Sequence, residues 1–181
     1  MNKLLISVGI IIAAAIGWLI ISGAGQHQNM TPVGNTVTQT KPASPTERAP
    51  NFSLKDYDGK TVSLVDFAGK PLVINSWAAW CPFCREELPD FVTVQKEFEG
   101  KAVFIAIDRG ESLSVAKKYT DELGVTASLV LLLDPTDSFY SAIGGFSMPE
   151  TIFIDKEGII RDHKRGPMDI PEIRERTLKI L

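Results

Sequence analysis

The chain has 181 residues, 44% hydrophobic and 23% charged, which fits one globular domain of ordinary core size together with a more apolar segment. Its net charge of -3 supplies no basic face for nucleic acid and no strong pull toward anionic lipid, so nucleic acid is not an expected partner.

The extra apolar material lies at the start, where residues 4–21 read "LLISVGIIIAAAIGWLII" without a charge, behind Met1, Asn2 and Lys3. At about 1.5 Å per residue such a helix is roughly 27 Å long, close to a hydrocarbon core of about 30 Å. Residues 1–22 are therefore expected to form one N-terminal transmembrane helix, a signal anchor. A cleavable signal peptide is the competing reading, because Ser22-Gly23-Ala24 offers small residues at a cleavage position. Both readings export the rest of the chain. Lys3 assigns the N-terminus to the cytoplasm, which puts the remaining residues on the extracytoplasmic side of the cell membrane as a single-pass protein.

Residues 23–48 are rich in Gly, Pro, Thr, Gln and Ser without helical or strand periodicity, the composition of a flexible linker. Residues 49–181 form the expected domain. Its first stretch, "NFSLKDYDGKTVSLVDF", reads as two short strands around the Asp58-Gly59 turn. "PLVINSW", "KAVFIAIDR" and "ASLVLLLD" are short apolar runs with the look of strands buried on both faces. Helical patterns alternate with them over 83–98, with Leu88, Phe91, Val92 and Phe98 on one face, and over 112–124, which Gly124 stops. A short helix is expected over 137–143. "PETIFIDKEGIIRDHK" then reads as two antiparallel strands around Lys156-Glu157-Gly158. Ile170, Ile173, Thr177 and Leu181 make a stripe for a last docked helix. This alternation predicts an α/β sandwich around a mixed sheet.

The only two cysteines stand in "SWAAWCPFCREELP". Cys81 falls near a helix N-cap, Pro82 near N1 and Cys84 within the first turn. Side chains three apart on such a turn sit about 5 to 6 Å from each other at Cβ, a separation that modest adjustment converts into a disulfide. The helix dipole and its free amide groups favour a thiolate at Cys81, and thiolate is the nucleophile of disulfide exchange. Pro82, which has no amide donor, shapes how many N–H groups reach that sulfur. A purely structural disulfide over so short a loop restrains little chain entropy. A zinc site lacks ligands, since His27 and His163 are not placed as a pair, and no metal or cofactor is expected.

"WCPFC" after a buried strand, Pro89 beyond the second cysteine and "SMPETIFID" further on resemble the thioredoxin superfamily. The start "APNFSLKDYDGKTVSL", the strand "GKPLVINSWAAWC" and the apolar N-terminus are similar to its TlpA/ResA/CcmG branch of exported thiol-disulfide oxidoreductases. The resemblance implies a thioredoxin fold with an N-terminal β-hairpin and a helix-strand insertion, supplied by "SLSVAKKYTDELGVTASLVLLLD". It implies that Cys81 attacks and Cys84 resolves, that Pro149 is a cis-proline facing them, and that the Met148 backbone pairs with a substrate strand. Asn75 stands where thioredoxin has a buried aspartate and cannot act as a base. Glu87, one turn beyond Cys84, resembles the acidic residue that this branch keeps near its active site, while a solvated first-turn glutamate, as expected of Glu86, is the alternative. Trp77 alternates into the core, and Trp80 and Phe83 flank the cysteines as an apolar docking surface or as packing. Pro89 is expected to kink its helix.

The resemblance further implies exported protein substrates with thiols or disulfides, apocytochrome c among them, a membrane redox donor, and action as a reductant. Two alternatives come from other classes. A thiol peroxidase needs Thr or Ser three residues before its cysteine and Pro seven before, where this chain has Ala78 and Ile74. A copper-binding module would use Cys81 and Cys84 with Met148.

Overall fold

The computed structural model describes residues 47–181. The expected membrane helix over 1–22 and nearly all of the linker lie outside them; among the described residues no helix is long and apolar enough to cross a membrane.

The elements follow one another as β1 (Ser53–Asp56), β2 (Thr61–Ser63), a 3-10 turn (Leu64–Phe67), β3 (Leu72–Trp77), α1 (Pro82–Glu97), β4 (Val103–Arg109), α2 (Leu113–Glu122), β5 (Val130–Asp134), α3 (Ser138–Ala142), β6 (Glu150–Ile154), β7 (Ile160–Arg165) and α4 (Ile170–Leu178). They build one seven-stranded sheet in the order β2-β1-β5-β4-β3-β6-β7. β3 runs parallel to β4, and β4 to β5, whereas β6 lies antiparallel to β3 and β7 to β6. The sheet is mixed, as the sequence predicts. The hairpin β1–β2 extends the β5 edge, with β1 antiparallel to β5. The expected insertion is α2 with β5.

Every residue of β3 is buried, which is why "LVINSW" carries no solvent-facing alternation. Strand period 2 sends Val73, Asn75 and Trp77 toward α1 and sends Leu72 and Ile74 to the opposite face. Val73 packs with Phe91, Val94, Phe104, Phe153 and Ile173 under α1 and α4. Ile74 packs with Phe52, Ile105, Leu132, Phe139 and Ile152 on the other side. Two apolar layers thus clamp the strand that leads into the cysteines.

α1 continues through Pro89 as one helix. One expectation about the last helix changes: Leu181, just past its end, is 49% exposed, and Ile180, 3% exposed, takes its place in the core. The helical turns end at Leu178, so the period of 3.6 no longer governs which side chain points inward. Chain pairing begins before residue 49, because the Ile160 amide donates to the Glu47 carbonyl at 2.8 Å and Arg48 bridges Ile159.

Candidate active site

The site sits at the C-terminal end of β3, where a parallel strand hands over to a helix. Cys81 is the N-cap of α1 and Pro82 its first residue. The Cys84 amide donates to Cys81 Sγ at 3.2 Å, so the sulfur accepts one of the N–H groups that a helix start leaves free. Both thiols are free and buried, Cys81 at 2% and Cys84 at 0% exposure. Burial pushes the Cys84 thiol up, and its hydrogen bond with Cys81 and the charge of Glu87 act in the same direction.

β6 begins where β3 ends. Ser76 pairs with Glu150, which brings the residues just before β6 beside those just after β3. The Met148-Pro149 bond there is cis, and Met148 packs in the cluster of Trp77, Cys81, Cys84 and Leu88. Trp77 is fully buried and stacks on Tyr119 at 5.3 Å, and the Tyr119 hydroxyl donates to the Cys81 carbonyl at 3.4 Å. Trp80 and Phe83 are 64% and 52% exposed, so they border the sulfurs as open apolar surface.

Glu87 is interior and Glu86 is exposed, which removes the solvated-glutamate alternative for Glu87. Its Oε2 accepts from Asn75 Nδ2 and its Oε1 from the Met168 amide, each at 3.0 Å. Burial raises its carboxyl to about 8 against the opposing pull of those two bonds. Asn75 donates its second hydrogen to Thr151 Oγ1 at 3.0 Å, leaving its Oδ1 without a protein partner. The asparagine is no base, yet it holds the Glu87 carboxyl group in place.

A pair of carboxyl residues, Asp108 and Glu111, lies close to the motif. Glu111 Oε2 accepts from the Ala79 amide at 2.7 Å, and the Glu111 amide donates to Asp108 Oδ1 at 3.3 Å. Burial, with Glu111 alongside, pushes the Asp108 carboxyl up. Sequence reasoning passed over both residues; the one signal was an aspartate closing the otherwise apolar run of β4.

Residues 45–163 match the AhpC/TSA family. The chain belongs to that family. Its sequence is 30% identical over 133 residues to the thioredoxin-like protein YneN of Bacillus subtilis, covering 72% of this chain and 76% of that one. It is 27% identical over 167 residues to the thiol-disulfide oxidoreductase ResA of Geobacillus thermodenitrificans, covering 92% and 88%. A thioredoxin-family thiol:disulfide interchange protein from Chlorobium tepidum superposes with a TM-score of 0.65 at 30% identity, over 77% of this chain and 99% of that one. The resemblance to the ResA-type branch of the thioredoxin superfamily holds in both sequence and fold.

Proposed function

We propose that this thiol-disulfide oxidoreductase works through Cys81 as attacking thiol and Cys84 as resolving thiol, reducing disulfides of exported proteins from a membrane-tethered domain outside the cytoplasm. The observation that carries the reading is the Cys84 amide donating to Cys81 Sγ at the N-cap of α1, beside the cis-proline turn.

At that position the Cys81 sulfur lies at the positive end of the helix dipole and accepts a directed N–H, and its thiolate is the attacking form. The thiolate attacks one sulfur of the substrate disulfide, forms a mixed disulfide and releases the other sulfur as a thiolate. Cys84 then gives up its proton and attacks Cys81 Sγ. The Cys81–Cys84 disulfide forms, the second substrate sulfur leaves, and two electrons have passed to the substrate. Burial holds the Cys84 proton tightly, so the second step needs a base. Glu87, one turn along the same helix with its carboxyl near 8, accepts that proton. A dithiol redox donor in the membrane returns the pair to the reduced state.

Trp80 and Phe83 give an approaching polypeptide apolar contact, and the Met148 backbone offers an edge for an extended segment. The uncharged run over 4–21 supports tethering, and the relatives named thiol-disulfide oxidoreductase support disulfide exchange; exported cysteine-containing proteins, apocytochrome c among them, are the substrates that the family resemblance implies. Replacing Cys84 with Ser in the full chain in its native membrane traps the partner on Cys81. Recovery of apocytochrome c supports the cytochrome role, and recovery of varied exported proteins supports a general reductant. A protein that traps nothing is not an exchanger of this kind.

A further inference from the structure

Glu150 opens β6 directly after the cis-proline, and its side chain is completely buried. A carboxylate is rarely so buried unless it is paired, and here partners come from two segments, β7 and the turn before the cis-proline. Register sets Glu150 opposite Arg165 on β7, and strand period 2 puts His163 on the same face. Oε1 lies 2.7 Å from His163 Nε2 and accepts from Arg165 Nε at 3.0 Å. Oε2 accepts from the amides of Phe146 and Ser147 at 2.8 and 3.1 Å. Burial alone would raise this carboxyl, but the close His163 ring nitrogen, the two amides and Arg165 outweigh it and hold Glu150 below the usual range.

The same groups hold the whole 144–149 turn. Arg165 Nη2 donates to the Gly144 carbonyl at 2.9 Å, and the Gly166 amide donates to the Pro149 carbonyl at 2.9 Å. The Tyr140 hydroxyl donates to the Ser147 carbonyl at 2.7 Å. A Cβ at Gly145 would stand 2.3 Å from the Tyr140 ring, so only glycine lets the turn lie against it. Within the turn, Met148 packs against the cluster that contains Cys81 and Cys84, and Phe146 is 80% exposed. Stability is a weak reason for this arrangement, because replacing buried ion pairs by apolar residues is often neutral or favourable.

We propose that Glu150 is a positioning residue of the exchange reaction: it fixes the 144–149 turn beside Cys81, so that a disulfide-bonded polypeptide finds a preordered surface there. The inference rests on the exchange reading of Cys81 and Cys84. A surface ordered in advance spares the ordering entropy of binding, a gain that grows with the length of substrate laid on it. A small disulfide, which touches little beyond the sulfur, gains almost nothing.

The test uses the full chain in mild detergent, prereduced, with insulin as the polypeptide disulfide and 5,5′-dithiobis(2-nitrobenzoate) as the small one. The readout is the ratio of their second-order rate constants. Glu150→Gln removes the charge and one acceptor, and is expected to lower the insulin-to-small-disulfide ratio about tenfold, the size of one lost charge-assisted hydrogen bond. Arg165→Lys keeps a charge but cannot reach both Glu150 and Gly144, lowers the ratio in the same direction, and carries the test if the first variant fails to fold. An unchanged ratio, or an equal loss with both disulfides, overturns the inference. A wild-type protein inert toward both disulfides overturns the exchange reading itself, and this inference with it; a wild type active on both with unaltered variants overturns the positioning role alone.

Discussion

Asn75 Nδ2 donates to Glu87 Oε2 at 3.0 Å in an interior where each residue is 1% exposed. This contact joins the strand before the cysteines to the helix after them. It also explains how a carboxyl group stays buried under α1: its two oxygens have two donors, from Asn75 and from the Met168 amide.

Glu87 makes stability depend on pH. Its carboxyl moves from an ordinary 4.5 to about 8 in the folded protein because of burial, so the folded protein keeps a proton that the unfolded chain releases between those values. The folded state binds more protons than the unfolded one across that window, so stability falls as pH rises through it, by about 1.4 kcal/mol per pH unit at the steepest. Asp108, raised by its own burial, adds in the same direction. Urea unfolding at pH 5 and pH 8 is expected to show a smaller drop for Glu87→Gln than for wild type. An equal drop in both proteins would remove Glu87 as the cause.

The same variant tests the proton transfer. With no carboxylate to take the Cys84 proton, resolution of the mixed disulfide is expected to slow by about 10²-fold or more, the usual worth of a general base. Attack by Cys81 changes little by comparison. Stopped-flow release of the second substrate thiol, measured from pH 6 to 9, separates the two steps, and a wild-type limb near pH 8 that survives in Glu87→Gln argues for another base.

Alkylation should distinguish the two sulfurs. Cys84 is fully buried with its thiol pushed up, whereas Cys81 sits at the helix start with a sliver of exposure. Iodoacetamide at neutral pH is expected to label Cys81 first, read by peptide mapping against time. Equal labelling of both cysteines contradicts the assigned roles.

Ile74 is fully buried at the centre of β3, against Ile105 and Ile152. Ile74→Ala should cost about 2–5 kcal/mol, the transfer loss plus the cavity left behind. Chemical denaturation measures it. A loss under about 1 kcal/mol would mean that the layer collapses around the gap.

Asp169 caps α4, its Oδ1 accepting from the Glu172 amide at 3.0 Å. Asp169→Ala is expected to cost about 1 kcal/mol. The effect reaches the site only through Met168, whose amide holds Glu87. A shift in thermal midpoint without a change in exchange rate fits a cap that acts on stability alone.

The order of strands and helices, the cysteine pair at a helix start and the alternation of "LVINSW" into a core were legible in the sequence, because spacing and period are local properties of the chain. Family resemblance supplied the roles of Cys81, Cys84, Pro149 and Glu87, and the interior position of Glu87 agrees with it. What local pattern cannot carry is pairing across strands. Glu150 meets Arg165 and His163 only because β6 and β7 are antiparallel in one register, and a slip of one residue between the strands would put Glu150 and the two β7 side chains on opposite faces. Asn75 meets Glu87, Glu111 meets Ala79 and Ile180 replaces Leu181 for the same kind of reason. Sequence pattern alone shows which chemistry the chain contains and where along it that chemistry lies. Which buried charges face one another is set by the fold, since the energy of such a group depends on the partners that the packed elements deliver to it.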